Sequence, residues 1–144
     1  MEETQLIALK EFEVRFSEVD SMGIVWHGSY ANYFEDGRAE FGKKFGLGYM
    51  LMFQNGFYAP LVDLNFQFKK PLPYETKAVV ETKYINTPAA KILFEYRIFL
   101  PEDNSTICTG SSTQVFLDKN YQLEWFNPPF YEEWKNKMGL TDTE

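Results

Sequence analysis

The chain has 144 residues, of which 44% are hydrophobic, and this is enough to form one domain with a packed core over 1–144. A formal net charge of −7 argues against binding to nucleic acid, because the phosphate backbone would be repelled. A single cysteine, Cys108, excludes an intramolecular disulfide, and no metal site is predicted. No segment resembles a signal peptide or a membrane span, so we expect a cytoplasmic protein that does not insert into a membrane.

The first predicted elements are a strand and a long helix. Apolar and charged residues alternate from Phe12 to Phe16, which predicts the strand. From Ser29 the period changes to that of a helix, and one stripe carries Tyr30, Tyr33, Phe34, Gly37, Phe41 and Phe45. Ser29 is a suitable N-cap, and Gly46 suits the C-terminal end. The place of Gly37 on the apolar stripe predicts that the helix packs closely against a sheet.

The rest of the chain has a β pattern. Strands are predicted from Val62 to Lys69 and for KAVVETKYI, KILFEYRIFL, TICTGSSTQVFL and QLEWF, with turns between them. Gly110 predicts a bulge in its strand, and Cys108 is interpreted as a core residue of the same strand. A short terminal helix is predicted for NPPFYEEWKNKM. One long helix cannot cover both faces of such a sheet, so we expect its second face or its edge to meet another subunit.

The stretch between the first strand and the long helix combines features that suggest chemistry. It reads SEVDSMGIVWHGSY and contains a carboxylate, Asp20, and the only histidine, His27. Each residue alone is typical of a turn or a helix start. Together they suggest acyl transfer to water, because unpaired N–H groups at a helix start stabilise a developing oxyanion. A nearby carboxylate can attack the carbonyl or take a proton from water.

A resemblance to a known family supports this interpretation. The 4-hydroxybenzoyl-CoA thioesterase-like acyl-CoA thioesterases, which have the hotdog fold, share a signature that resembles VRFSEVDSMGIVWHGSYANYFEDGR. The similarity extends through APLVDLNFQFKKPLPYE, and beyond that only the strand pattern matches. The resemblance implies an α+β fold in which an antiparallel β-sheet wraps around one long central α-helix. It also implies a homodimer or homotetramer with active sites at subunit interfaces.

The resemblance also implies roles for individual positions. Asp20 matches the catalytic carboxylate. His27 matches the residue whose backbone N–H faces the thioester oxygen, and its imidazole is expected to help order the water or the leaving thiolate. The backbone N–H of Tyr58 or Ala59 matches a second donor to that oxygen. Positions that bind the substrate are expected at Met22, Tyr30, Phe34 and Tyr58.

Three further features bear on the substrate. Phe16 stands where many relatives have a tyrosine, so the orientation of the acid or of the water must come from elsewhere. Lys69 and Lys70 end a strand, and they are either solvated there or clamp the phosphates of coenzyme A. The segment YMLMFQNGFY is either a packed crossover or a pliable wall for an acyl or aryl group.

The predicted function is hydrolysis of the thioester of an acyl- or aroyl-CoA by carboxylate-assisted attack at the helix start. No cofactor is implied, because coenzyme A enters as part of the substrate. The alternatives are a hotdog-fold hydratase or dehydratase and a non-catalytic acyl-CoA-binding protein. The acyl group, the role of Asp20 as nucleophile or general base, and the choice of dimer or tetramer stay open at this point.

Overall fold

A computed structural model describes residues 5–140, so the outermost residues of the predicted single domain, 1–4 and 141–144, lie outside the described residues. The strands are β1 (Ile7–Glu13), β2 (Phe57–Tyr58), β3 (Leu61–Phe68), β4 (Lys77–Ile85), β5 (Lys91–Phe99), β6 (Thr106–Val115) and β7 (Leu117–Asp118). The α-helices are α1 (Tyr30–Phe45), α2 (Tyr49–Gln54) and α3 (Pro129–Lys137). Single 3-10 turns form at Phe16–Glu18 and His27–Ser29.

One antiparallel sheet organises the molecule. Its five strands lie in the order β1-β4-β5-β6-β3, so β1 and β3 are the edges, and β2 pairs separately with β7. Alternate side chains of β4 and β5 are buried, as expected for a sheet with one face against the core. The long helix α1 packs across that face, which confirms the predicted antiparallel sheet around one helix.

The apolar stripe of α1 forms the centre of the core. Phe34 is fully buried and stacks against Tyr96 and Phe66, with ring centroids 4.2 and 5.0 Å apart. Burial of one such side chain contributes about 2–3 kcal/mol to stability. Gly37 lies directly over β4, where an added Cβ would come within 2.3 Å of the Thr82 hydroxyl oxygen. The predicted close packing at Gly37 is therefore confirmed.

Two predictions about local structure are wrong. The strand predicted from Phe12 to Phe16 ends at Glu13, because Glu13 is the last residue paired with β4, and Phe16 lies in a 3-10 turn. In QLEWF only Leu123 forms an isolated bridge, and the two aromatic residues that end the segment are exposed. The crossover after α1 contains a second, short helix, α2, for which the sequence carried no separate prediction.

The bulge predicted at Gly110 is wrong in its position, because the pairing of β6 with β5 is irregular at Ile107, between Thr106 and Cys108. Gly110 pairs in regular register with Phe66 on one side and Tyr96 on the other. A close approach explains the glycine instead, because an added Cβ would lie 2.3 Å from the Asn65 carbonyl oxygen and 2.6 Å from the Phe34 ring. Gly110 therefore gives α1 room to sit on the sheet.

We expect Gly110→Ala to lower the free energy of unfolding by about 2 kcal/mol, the usual cost of forcing an extra carbon into a packed core. Urea denaturation monitored by circular dichroism measures this change. The control is Gly48→Ala, because an added Cβ at Gly48 meets nothing within 4 Å. The control is expected to change stability by less than about 1 kcal/mol, the size of a helix-cap effect. Equal losses in the two variants would contradict the close approach at Gly110.

Candidate active site

Asp20 lies at the tip of a short backbone hairpin ahead of α1. Val19 forms an antiparallel bridge with Val25, and the Asp20 N–H donates to the Ile24 carbonyl oxygen over 2.9 Å. The Met22 N–H donates to Asp20 Oδ1 over 2.8 Å, the bond expected of an aspartate in a turn. Asp20 Oδ2 accepts no hydrogen bond from any described residue. The turn therefore orients the carboxylate and leaves one of its oxygens available to a ligand.

The hairpin tip is anchored to the segment that precedes β4. The Val25 N–H donates to the Leu72 carbonyl oxygen over 2.8 Å, and the Tyr74 N–H donates to the Gly23 carbonyl oxygen over 2.9 Å. Since these bonds hold both sides of the turn, the Asp20 carboxylate has a defined position relative to the sheet. No pattern in the sequence indicated this anchor.

His27 follows the other end of the hairpin and begins the 3-10 turn that leads into α1. Ser29 occupies the predicted N-cap position, but its hydroxyl donates to the Glu18 carbonyl oxygen over 3.1 Å and does not cap the helix. Within residues 5–140, neither the N–H nor the imidazole of His27 has a hydrogen-bond partner. The helix start therefore presents an unpaired donor in a region of positive potential.

The register of the hairpin shows how the acid and this donor are connected. Asp20 is opposite Ile24, and Glu18 is opposite Trp26, so His27 directly follows the last paired residue of its strand. The acid and the N–H donor are therefore carried by the two arms of the same hairpin.

Glu18 connects the hairpin to α1. Its Oε1 accepts hydrogen bonds from the Tyr33 hydroxyl (2.9 Å) and from the Arg15 N–H (2.8 Å). Burial, together with the Glu18 carboxylate, raises the pKa of Tyr33 well above its ordinary value, so the hydroxyl stays protonated and donates. No local pattern indicates a role for Glu18, because Tyr33 and Ser29 become its neighbours only after folding.

The structure separates the residues predicted to bind substrate. Met22 is exposed beside the Asp20 turn. Tyr30 is buried with its ring edge against Phe68, at a centroid distance of 5.1 Å, and its pKa is raised to about 12, mainly by burial. Phe34 is fully buried in the aromatic stack of the core. Tyr30 and Phe34 therefore support the helix start from beneath and have almost no surface open to a ligand in the single chain.

A groove of about 730 Å³ lies beside α1, between α2 and residues 57–61. Most of its walls are apolar, including Leu47, Met50, Met52, Phe57, Ile92 and Phe94. Tyr58 and Ala59 also line it. Tyr58 belongs to the β2–β7 ladder, whereas the Ala59 N–H has no hydrogen-bond partner in the described part of the chain. Asp20 and His27 do not line this groove, so one chain does not bring all the predicted site residues into one cavity.

Lys69 and Lys70 are exposed directly after β3. Their backbone N–H groups both donate to the Ile107 carbonyl oxygen, over 2.8 and 3.1 Å, which fixes the backbone at the strand end. Because the preceding residue, Phe68, contacts Tyr30, the two ammonium groups lie towards the end of the sheet where α1 begins. This placement leaves both the solvated and the phosphate-binding interpretation open.

The only cysteine, Cys108, is a core residue and not a candidate nucleophile. Cys108 is fully buried, and burial raises the pKa of its thiol to about 11, so the thiolate is scarce at neutral pH.

Among residues 5–140, no group of three or more His, Cys, Asp and Glu side chains is placed to hold a metal ion. None of the helices in the same residues is both long and apolar enough to cross a membrane.

Comparisons with known proteins bear on the family and the fold of this chain. Residues 14–134 match the thioesterase-like superfamily. YneP of Bacillus subtilis (strain 168), provisionally named an acyl-CoA thioesterase, is 37% identical over 113 residues, covering 78% of this chain and 81% of YneP. ATL3 of Arabidopsis thaliana, a chloroplastic acyl-acyl carrier protein thioesterase, is 32% identical over 78% of this chain but only 59% of its own length. The crystal structure of a DHNA-CoA thioesterase from Staphylococcus aureus superposes with a TM-score of 0.81 at 29% identity, covering 92% of this chain and 91% of the other, which confirms the predicted hotdog fold.

Proposed function

The chain belongs to the thioesterase-like superfamily, and on that premise we propose that it hydrolyses an acyl- or aroyl-CoA thioester at the start of α1. The predicted class of enzyme, a thioesterase, is confirmed by the names of its relatives. One observation carries the proposed mechanism. The Asp20 carboxylate has one oxygen fixed by the turn and the other available, on the same hairpin as the unpaired N–H at the helix start.

In the proposed reaction the thioester carbonyl oxygen accepts a hydrogen bond from the His27 N–H. This bond and the helix start stabilise the negative charge that develops when the carbonyl carbon is attacked. Asp20 Oδ2 either attacks that carbon and expels the thiolate as an anhydride forms, or takes a proton from a water that attacks. In the first route coenzyme A leaves as the anhydride forms, and hydrolysis of the anhydride then releases the free acid and restores the Asp20 carboxylate. Both routes therefore have the same net products. Hydroxylamine cleaves such an anhydride, so an aspartyl hydroxamate found at position 20 after turnover in its presence would identify the first route.

We place the rest of the site in a second copy of the chain, joined through the β3 edge. This edge carries an exposed Val62 and an exposed Phe68, and an apolar edge strand requires a partner. The opposite edge, β1, carries charges at Lys10, Glu11 and Glu13, which is how natural sheets discourage edge pairing. The β3 edge is therefore the better candidate for pairing between subunits.

The direction of β3 explains how such a pair would complete the site. The strand begins at Leu61, which lines the groove, and ends at Phe68, which contacts Tyr30 at the helix start. Antiparallel pairing of two β3 strands about a two-fold axis puts the groove of one copy beside the helix start of the other. The Ala59 N–H of the second copy would then face the carbonyl oxygen held by His27. A dimer of this kind has two equal sites.

The groove suits the acyl or aryl part of the substrate. Its volume of about 730 Å³ lies within the usual range for small-molecule sites. Met50 and Met52 of α2 are on its wall, and methionine side chains adapt to irregular apolar ligands. The segment predicted as either a crossover or a pliable wall thus forms a helix that lines this groove, and the second interpretation becomes the proposal.

A panel of acyl-CoA and aroyl-CoA thioesters tests the function, with thiol release measured by a chromogenic thiol reagent. We expect release from at least one member of the panel. Binding without release would favour the acyl-CoA-binding protein, and hydration of an enoyl-CoA would favour the hydratase. Because ATL3 is named for acyl carrier protein, the same acyl groups on that carrier form the second arm of the panel.

We expect the double substitution of Lys69→Ala and Lys70→Ala to raise the KM for acyl-CoA about 3–10-fold and leave kcat nearly unchanged. Exposed ammonium groups would bind the phosphates of coenzyme A by screened attraction, so the effect on KM should also shrink as salt is added. Steady-state kinetics at low and high ionic strength measure both values. The control is Lys137→Ala on α3, an exposed lysine at the other end of α1, where Trp134 of the same helix donates to the Phe45 carbonyl oxygen. An unchanged KM would leave the two lysines as solvated residues of a strand end.

A further inference from the structure

The geometry points to Glu18 as a positioning residue, which holds the Asp20 turn and the His27 N–H in register with α1 and so sets kcat. The inference rests on the proposed function and deepens it, because it names a residue that positions both the acid and the N–H donor. It comes from four hydrogen-bond partners that converge on one residue: Arg15, Trp26, Ser29 and Tyr33.

The side chain of Glu18 forms the first half of this connection. Only 12% of it is exposed, and its Oε1 binds both the Tyr33 hydroxyl and the Arg15 N–H. Tyr33 lies in the first turn of α1 and stacks on Phe12 of β1, with ring centroids 4.2 Å apart. The carboxylate therefore joins the hairpin to a residue whose ring is held by both helix and sheet.

The backbone of Glu18 forms the second half. Its carbonyl oxygen accepts hydrogen bonds from the Trp26 N–H over 2.9 Å and from the Ser29 hydroxyl over 3.1 Å. Trp26 directly precedes His27, and Glu18 itself is two residues from Asp20. A shift of Glu18 consequently moves the acid and the N–H donor at the same time. A misplacement of about 1 Å in such a pair costs up to roughly 100-fold in rate.

Glu18 does not itself have the geometry of a catalytic group. Its Oε1 is already shared by two donors, and its Oε2 accepts from Arg15 Nε over 3.3 Å. The Arg15 side chain is largely exposed, so this ion pair contributes little, and the bonds on Oε1 carry the connection. These bonds need an acceptor at that position and do not need a negative charge.

The test compares Glu18→Gln, Glu18→Ala and Tyr33→Phe with wild type. Glutamine retains an oxygen that can accept from Tyr33 and from the Arg15 N–H, so we expect its kcat within about 3-fold of wild type. Alanine removes the acceptor, and we expect kcat to fall about 30–100-fold with KM changed less than about 3-fold. Tyr33→Phe breaks the same bond from the other side, and an intermediate loss in kcat is expected. The control is Glu13→Ala, an exposed carboxylate at the end of β1, which should leave kcat unchanged.

Amide hydrogen exchange provides a readout that is independent of turnover. We expect the Met22 and Trp26 amides to exchange at least ~10-fold faster in Glu18→Ala and in Tyr33→Phe, and near the wild-type rate in Glu18→Gln. All rates are measured well below the melting temperature of each variant, so that kcat refers to folded protein. If Glu18→Ala does not fold, the kcat and the exchange rates of Tyr33→Phe, compared with those of wild type, decide whether the inference holds.

Three results would overturn the inference: wild-type kcat in Glu18→Ala and Tyr33→Phe, a loss in Glu18→Gln as large as in Glu18→Ala, or unchanged exchange at Met22 and Trp26. The second result would mean that charge or proton transfer at Glu18 matters. If wild type releases no thiol from any thioester, the proposed function fails by itself. The exchange rates then still decide whether Glu18 holds the hairpin.

Discussion

Asp20→Asn is expected to lower kcat for thioester hydrolysis at least ~100-fold while the protein stays folded. An asparagine oxygen can still accept the Met22 N–H, so the turn that now orients Oδ1 should persist. The amide nitrogen that replaces Oδ2 can neither attack the carbonyl nor take a proton from water. Steady-state kinetics with saturating substrate measure the loss, and circular dichroism with a thermal melt confirms folding.

His27→Ala is the matched comparison for this prediction. We expect a smaller loss of kcat, because the backbone N–H that we propose as the donor to the carbonyl oxygen remains when the imidazole is removed. Turnover that is unchanged in Asp20→Asn would exclude the carboxylate from the reaction. A loss in His27→Ala as large as in Asp20→Asn would show that the imidazole, and not only the backbone donor, is essential.

Val62→Lys is expected to convert the proposed dimer into monomers and to lower activity at least ~100-fold. Val62 is 60% exposed on the β3 edge, and pairing of two such edges would bury a lysine ammonium next to apolar side chains. Since the proposed site takes its groove from the second copy, a monomer has Asp20 and His27 but no acyl-binding wall beside them. Sedimentation velocity measures the oligomeric state, and thiol release is measured at the same protein concentrations.

The control for Val62→Lys lies on the opposite edge of the sheet. Leu9 of β1 is 55% exposed, so Leu9→Lys introduces the same charge at a similar exposure. We expect Leu9→Lys to keep both the oligomeric state and the activity of wild type. A monomeric wild type that is fully active, or a monomeric Val62→Lys with wild-type kcat, would contradict a site shared between subunits.

Hydrophobic periodicity predicted most of the fold because the elements are long and their buried faces are regular. The apolar stripe of α1 and the alternation in β4 and β5 are examples in which local pattern and tertiary packing agree. The errors arose where a long-range contact decides the structure. The alternation of apolar and charged residues at Phe12–Phe16 continues past Glu13, the last residue of β1 that pairs with β4. Position 110 needs a glycine because the ring of Phe34, which is distant in sequence, lies against it.

The candidate site was predictable only in its local part. Asp20 and His27 lie within one short stretch, so an acid, a turn and a helix start could be recognised together. The role of Glu18 could not be predicted, because it depends on a hydrogen bond from the Tyr33 hydroxyl, and α1 places that hydroxyl beside Glu18 only in the folded chain. The groove could not be predicted either, because its walls come from α1, α2, β5 and β6 and from residues 57–61. The proposed pairing of subunits is harder still to predict, because it depends on which edge strand of the folded sheet carries fewer charges.

The most direct test of the central claim is a crystal structure of the Asp20→Asn variant with an unhydrolysed acyl-CoA bound. We expect the thioester carbonyl oxygen within hydrogen-bond distance of the His27 N–H and the side chain at position 20 against the carbonyl carbon. We expect the acyl group in the groove of the second copy. A thioester bound away from the start of α1, or one whose carbonyl oxygen is held by neither backbone donor, would contradict the account.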